Sequence, residues 1–205
     1  AGNEADAMRH DSAIVSPATT SDSFGFTINN TQSAAYTAEE HLRVIWQGGT
    51  PGTYEISLSC TNLLSKRPRI ETLTLVSSST SVRGTKSVEY KLSPNIPAGT
   101  SKTYFFRLRN TAASGDPITV HLYQTSGIGS FDSPDSSYTV GHPAVADGAI
   151  AVGAWVQRTT WRDYMGSYWQ FPGNVLNTLA QFSGRGPRID GVRKPDIVAP
   201  GAATI

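Results

Sequence analysis

The 205 residues carry 17 Lys and Arg against 16 Asp and Glu, a formal net charge of +1. Neither Lys nor Arg gathers into a stripe, which argues against nucleic acid or anionic membrane as the main partner. Charged residues make up only 16%, while Ser, Thr and Gly are plentiful, a bias that suits an all-β, turn-rich extracellular protein better than a helical cytosolic one.

No apolar run approaches the roughly 20 residues that a membrane helix needs. The opening Ala1-Gly2-Asn3-Glu4 has neither an initiator Met nor a signal peptide, and suggests a chain cut from something longer. Residues 1–17 read as a short polar lead-in closed by Pro17. From 18 to 138 the dominant pattern is alternation of period two, the mark of half-buried strands. Candidate strands are Leu42–Trp46, Thr53–Cys60, Ile70–Val76, Ser87–Leu92, Thr103–Arg109 and Ile118–Tyr123, separated by Gly- and Pro-rich turns. Short strands at this spacing predict an antiparallel β-sandwich, jelly-roll-like, of ordinary domain size. The single cysteine, Cys60, ends the alternating run from Tyr54 and is expected to be a buried strand thiol.

Beyond Gly141 the texture changes. Ala149–Ala154 is a continuous small and apolar run, of the kind found in a strand covered on both faces, and Ile197–Ala199 is a second. The aromatic-rich stretch between them, with Trp155, Trp161, Tyr164, Tyr168 and Trp169, reads as a connection that packs its rings against the preceding β-domain. His10, His41, His121 and His142 lack any metal-ligand spacing. His41 and His121 read as strand histidines, and His10 as a residue able to orient the N-terminal loop. Asp132 and Asp135 are weak candidates for a calcium site. Asp196 is expected to accept hydrogen bonds from neighbouring amides.

Three stretches together resemble the subtilisin-like serine proteases (subtilases). Ala1-Gly2-Asn3-Glu4 is similar to the end of the family's AAGN segment. Pro143–Ala154 is similar to its strand ending in Val-Gly-Ala. Phe182-Ser183-Gly184-Arg185-Gly186-Pro187, then Asp190-Gly191, then Lys194-Pro195-Asp196-Ile197-Val198-Ala199-Pro200-Gly201, closely matches its FSSRGP…DG…KPDivAPG signature. The three occur in the family's order. Ala5 departs from a frequent glycine, and Gly184 from a common serine.

The resemblance implies a partial α/β catalytic domain in two pieces, 1–17 and 139–205, with the β-sandwich of 18–138 inserted between them. Val15–Pro17 and Tyr138–Gly141 are then expected to be neighbours, because an insertion that spares its host must begin and end close together. It implies that Asn3 is an oxyanion-hole donor and that Ala1 and Gly2 line the pocket for the substrate residue before the scissile bond. The whole protein would be a secreted or cell-surface endopeptidase with an Asp-His-Ser mechanism, acting on proteins or peptides. It would need no cofactor, with calcium possible in the whole protein, and its segments would fold against the remainder of their own catalytic domain. The motifs of the triad are absent from these residues, so the chain alone is expected to be inactive. The alternative is a non-catalytic β-sandwich module that binds protein or carbohydrate, flanked by protease remnants.

Overall fold

The computed structural model describes residues 5, 7–48, 56–62 and 69–202. In chain order the strands are His10–Val15 (β1), Phe24–Asn29 (β2), Tyr36–Thr37 (β3), Glu40–Gln47 (β4), Ile56–Asn62 (β5) and Arg69–Glu71 (β6). Thr74–Thr80 (β7), Thr85–Leu92 (β8), Asn95–Ile96 (β9), Ser101–Asn110 (β10), Ile118–Ser126 (β11) and Ser130–Phe131 (β12) follow. The last four are Val152–Val156 (β13), Thr160–Arg162 (β14), Tyr168–Gln170 (β15) and Ile197–Ala202 (β16). Strands and turns make up the described residues, without a helix among them, so the helical part of the expected α/β host is not found there.

The chain forms two compact units, one of Met8–Asp135 and one of the residues on either side. In the first, the chain passes back and forth between two five-stranded sheets, ordered β1-β11-β4-β8-β7 and β12-β2-β10-β5-β6, with β3 and β9 paired separately. Their pairings are antiparallel. The period-two pattern explains the layering. Along β4 every second residue is buried, from Glu40 through Leu42 and Val44 to Trp46, and β2 does the same with Phe24, Phe26 and Ile28. These inward rows meet Tyr104, Phe106 and Leu108 of β10 and Val120 and Leu122 of β11 in one core. Phe26 lies edge-on to both Phe106 and Phe131. Cys60 is buried there, and burial pushes its thiol up to about 12, an inert strand cysteine.

Residues 10–15, expected in the polar lead-in, instead form β1 and pair along their length with β11, from His10↔Tyr123 to Val15↔Ile118. The polar start of His10-Asp11-Ser12 hides a strand whose inward side is only Ala13 and Val15. The ends of this unit meet before the predicted positions: Phe131 N donates to Met8 O at 3.0 Å and Asp135 N to His10 O at 2.8 Å. Val15, expected beside Tyr138–Gly141, has Ile118 as its strand partner.

Two of the polar clusters buried in this unit bear on its stability. Glu40, fully buried, accepts from Gln124 Nε2 at 2.6 Å and from the amides of Ile128 and Gly129 at 3.0 and 3.1 Å. Gly127, at φ 120°, approaches so closely that a Cβ would lie 1.9 Å from the Glu40 carboxylate. His10 and His121 form the second group. His10 Nδ1 donates to the Asp135 carbonyl at 2.9 Å, and its Nε2 stands 3.1 Å from His121 Nδ1. His10, read from sequence as orienting the N-terminal loop, is thus tied to β11 and to Asp135. His41 and His121 lie in β4 and β11, as read from the strand pattern.

Candidate functional site

The unit that carries the three motifs is built around β13. Small residues let backbones approach closely here. β13 and β16 run parallel, with Val152↔Ile197, Gly153↔Val198 and Ala154↔Ala199 in register. A Cβ on Gly153 would come 2.8 Å from Leu179 and 2.9 Å from Pro195, and one on Gly201 2.8 Å from the Ala154 Cβ. On its other side β13 is bonded to the returning chain: Val156 N to Thr178 O at 2.9 Å, Asn177 N to Val156 O at 2.9 Å and Ala180 N to Ala154 O at 2.8 Å. Val156, Ala180 and Ala202 make a small core beneath Ala154, Phe171 and Phe182. The apolar run predicted a strand covered on both faces, yet Ile150, Val152, Ile197 and Val198 are exposed in this chain.

The third motif spends its side chains on holding backbone. Asp196 accepts from the Ala151 amide and from Lys194 Nζ, both at 2.7 Å, and Lys194 also donates to Ala149 O at 2.8 Å. The lysine first, then the amide, holds the Asp196 carboxyl below the usual carboxylate range. This is the amide-bonding role expected of Asp196. Arg188, nearly buried, forks onto both oxygens of Asp190 and reaches Asp147 and Val145 O. Gly186 passes so close to Lys194 that a Cβ would fall 2.0 Å from its carbonyl oxygen, which is why the motif places glycine there.

The turn at Phe182–Ser183 joins two parts of the motif set. Ser183 N donates to Ala180 O at 3.0 Å, and its buried Oγ accepts the Ala154 amide at 3.0 Å. Phe182 O accepts the amide of Ala5 at 3.4 Å. Ala1, Gly2 and Asn3, the predicted substrate-pocket and oxyanion residues, lie outside the described residues. What the structure brings together is the segment two residues after Asn3, the Phe182–Ser183 turn and β13. Sequence reasoning missed Ser183 as a contact; its buried hydroxyl within a run of glycines and small residues was the available signal.

One expectation changes. The aromatic stretch forms a hairpin of β14 and β15, closed by Asp163, which accepts from the amides of Met165 and Ser167 and from Trp169 Nε1. Tyr164, Tyr168 and Trp169 are 98%, 65% and 53% exposed, so these rings are not buried as expected. A tight turn closed by one carboxylate holds the strands without needing a core. Asp132 and Asp135 accept from the hydroxyls of Thr27 and Ser12. Among the described residues no three His, Cys, Asp or Glu side chains gather as a metal site.

Residues 110–205 match the Subtilase family. Over 72 residues the chain is 46% identical to pyrolysin of Pyrococcus furiosus, an alignment covering 30% of this chain and 5% of that protein. The solved structure of the Clostridium perfringens CspB protease matches 98% of this chain and 40% of that one, with a TM-score of 0.64 and 20% identity, a likeness of fold. The chain therefore spans less than half the length of either relative. With the two later motifs in order on one parallel strand pair and its tightest turns, residues 110–205 resemble the corresponding segment of the subtilisin-like proteases.

Proposed function

We propose that the chain is part of the catalytic domain of a secreted serine endopeptidase, with Asn3 as an oxyanion-hole donor and the Met8–Asp135 unit as a jelly-roll-like insertion. The observation that carries the reading is the pair of motifs at Pro143–Ala154 and Phe182–Gly201, inside the stretch 110–205 that matches subtilases and preceded in family order by Ala1-Gly2-Asn3. When a serine attacks a peptide carbonyl, its oxygen becomes an anion in a site depleted of water. A preorganised N–H aimed there stabilises the transition state more than the substrate. Asn3 supplies that donor, and Ala1 and Gly2 leave room beside it for the substrate side chain.

Support for the insertion comes from the meeting of His10 with Asp135, and from a chain that passes back and forth between two sheets in the manner of a jelly roll. The exposed faces of β13 and β16 suit the remainder of the catalytic domain as their cover. The substrates are proteins or peptides. The chain alone is inactive, because its sequence holds an oxyanion donor without the triad motifs.

A fluorophosphonate probe tests this directly, since it is attacked only by an activated serine. The full-length protein is expected to take up one equivalent, and the 205-residue chain none. An unlabelled full-length protein contradicts the protease reading, and a labelled chain contradicts its inactivity.

A further inference from the structure

We propose that β7 is a docking strand, to which an extended acidic segment of a partner protein adds as a further strand. The proposal stands apart from the protease reading, since strand addition needs no catalysis. Every sheet edge offers unpaired peptide groups, and native proteins blunt theirs with short strands, charges or Pro. The two sheets of the Met8–Asp135 unit end in β1, β7, β12 and β6. β12 has two residues, β6 has three with Arg69 and Glu71 among them, and β1 carries Asp11 and is mostly half-buried. β7 is different. Thr74–Thr80 runs for seven residues without a charge or a proline, and all seven are exposed, Leu75 and Val76 among them. Among the described residues β8 is its one strand partner, and past a shift at Val76 the register is unbroken from Ser77↔Glu89 to Thr80↔Lys86.

The chemistry beside this edge selects the occupant. Trp46 lies opposite Lys86 in the β4–β8 pair, and Lys86 lies opposite Thr80 in the β8–β7 pair. Trp46 belongs to the core, so alternation puts Lys86 and Thr80, and with them Val88 and Ser78, on the inner side of the sheet. With Ile56 of the other sheet these residues line a cavity of about 270 Å³ that reaches the edge strand. An added strand turns every second side chain inward, and the one beside Ser78 and Thr80 enters this space. It meets an apolar floor, hydroxyls and the Lys86 ammonium, the one titratable group in the described lining, a setting that suits a carboxylate. Arg83, in the turn after β7, and Lys91, opposite Thr74, carry the same sign. The nearby acids are engaged: Glu89 is bonded to Arg43 and His41, and Glu39 stands 3.2 Å from His41 and 3.8 Å from Lys91. A second copy of this chain fits less well, because antiparallel pairing of β7 with itself sets Arg83 and Lys86 of each copy against Lys91 of the other.

The test uses the full-length protein treated with a fluorophosphonate, so that any protease activity leaves the probe whole; failure to label bears on the protease reading alone. The probe is a fluorescent peptide, Thr-Glu-Val-Glu-Val-Thr, beside a copy with Gln for each Glu. Fluorescence anisotropy is expected to show saturable binding of the acidic peptide, about 10-fold tighter than that of its Gln copy. Hydrogen exchange along 74–80 is expected to be fast in the free protein and slowed by the acidic peptide. Ser78→Asp, at an exposed position where the added carboxylate stays in water, should weaken binding about 10-fold or more by like-charge repulsion. Lys86→Gln should remove the preference for Glu over Gln. No binding at about 1 mM peptide, binding indifferent to both variants, or slow exchange along 74–80 before peptide is added overturns the proposal. A dimer in sedimentation with those amides protected overturns it too, and assigns the edge to a second copy.

Discussion

Replacing Glu40 by Ala should destabilise the β-sandwich by about 3 kcal/mol or more, while Glu40→Gln should cost less than about 1 kcal/mol. The carboxylate is wholly buried and serves three donors: Gln124 Nε2 and the amides of Ile128 and Gly129. Alanine leaves all three without an acceptor, and each buried orphan costs about 1–3 kcal/mol. It also opens a space beside Gly127, whose missing Cβ is what admits the carboxylate. Glutamine keeps one oxygen for the two amides. Its new NH2 faces Gln124, whose Oε1 is buried without a partner; turning that amide over gives the donor an acceptor. Urea unfolding of the two variants, read as the shift in midpoint at constant slope, distinguishes the cases. Equal losses would mean that the charge itself, rather than the acceptor, holds the loop.

The second large effect is loss of stability in mild acid. Burial, then the neighbouring His10, pushes the His121 imidazole down to about 4, against a smaller opposing pull from Asp135. An unfolded histidine titrates near 6.5, so unfolding takes up a proton that the native state refuses. The stability this neutral ring contributes is complete above pH 6.5 and is lost as the pH falls from 6.5 to about 4. The full loss is on the order of 3 kcal/mol.

The groups facing the pair are Asp135, the stacked Tyr123 and, on the same strand as His10, Asp11. Burial raises the Asp11 carboxyl, so it adds stability in acid and works against the histidine. Glu89 and Glu39 raise the His41 imidazole, so its contribution is complete below pH 6.5 and fades only as the pH rises above that, outside the window in which His121 acts. Between pH 6.5 and 5, where few carboxylates titrate, thermal unfolding should therefore show a falling midpoint. His121→Leu should start lower at pH 7, having left His10 Nε2 without its partner, but show a flatter profile over that window. A variant with the same slope as the parent chain would remove His121 as the cause.

Much of this architecture was readable from the residues. β4, β8, β10 and β11 stand where alternation placed them, because each turns one face to a single core. The strand from Ile70 to Val76 was not one strand: the chain passes from β6 to β7 between Glu71 and Thr74, changing sheets. Single-strand alternation carries no sign of such a crossing. β1 was missed because its buried residues include His10, a polar side chain made acceptable by partners such as His121 and the Asp135 carbonyl 125 positions away. Residues 53–55 of the predicted second strand lie outside the described residues, as do Ala1, Gly2 and Asn3.

Around the candidate site, the motif located the tight turns, and the glycines and Asp196 explain themselves through contacts. The hydrogen bonds from the Ala154 amide to Ser183 Oγ and from the Ala5 amide to Phe182 O join three segments far apart in sequence. No local pattern encodes them. The exposed rings of Tyr164, Tyr168 and Trp169 reverse the usual inference that large aromatics are buried; a carboxylate-closed hairpin has no interior to put them in.

The most direct measurement of the proposed function is peptide hydrolysis by the full-length protein after Asn3→Leu, a change of similar size that removes the side-chain amide. The account predicts a kcat lower by about 100-fold or more with KM nearly unchanged. A kcat equal to that of the unaltered enzyme would contradict it, and would leave the Asn3 side chain with no part in stabilising the reacting oxygen.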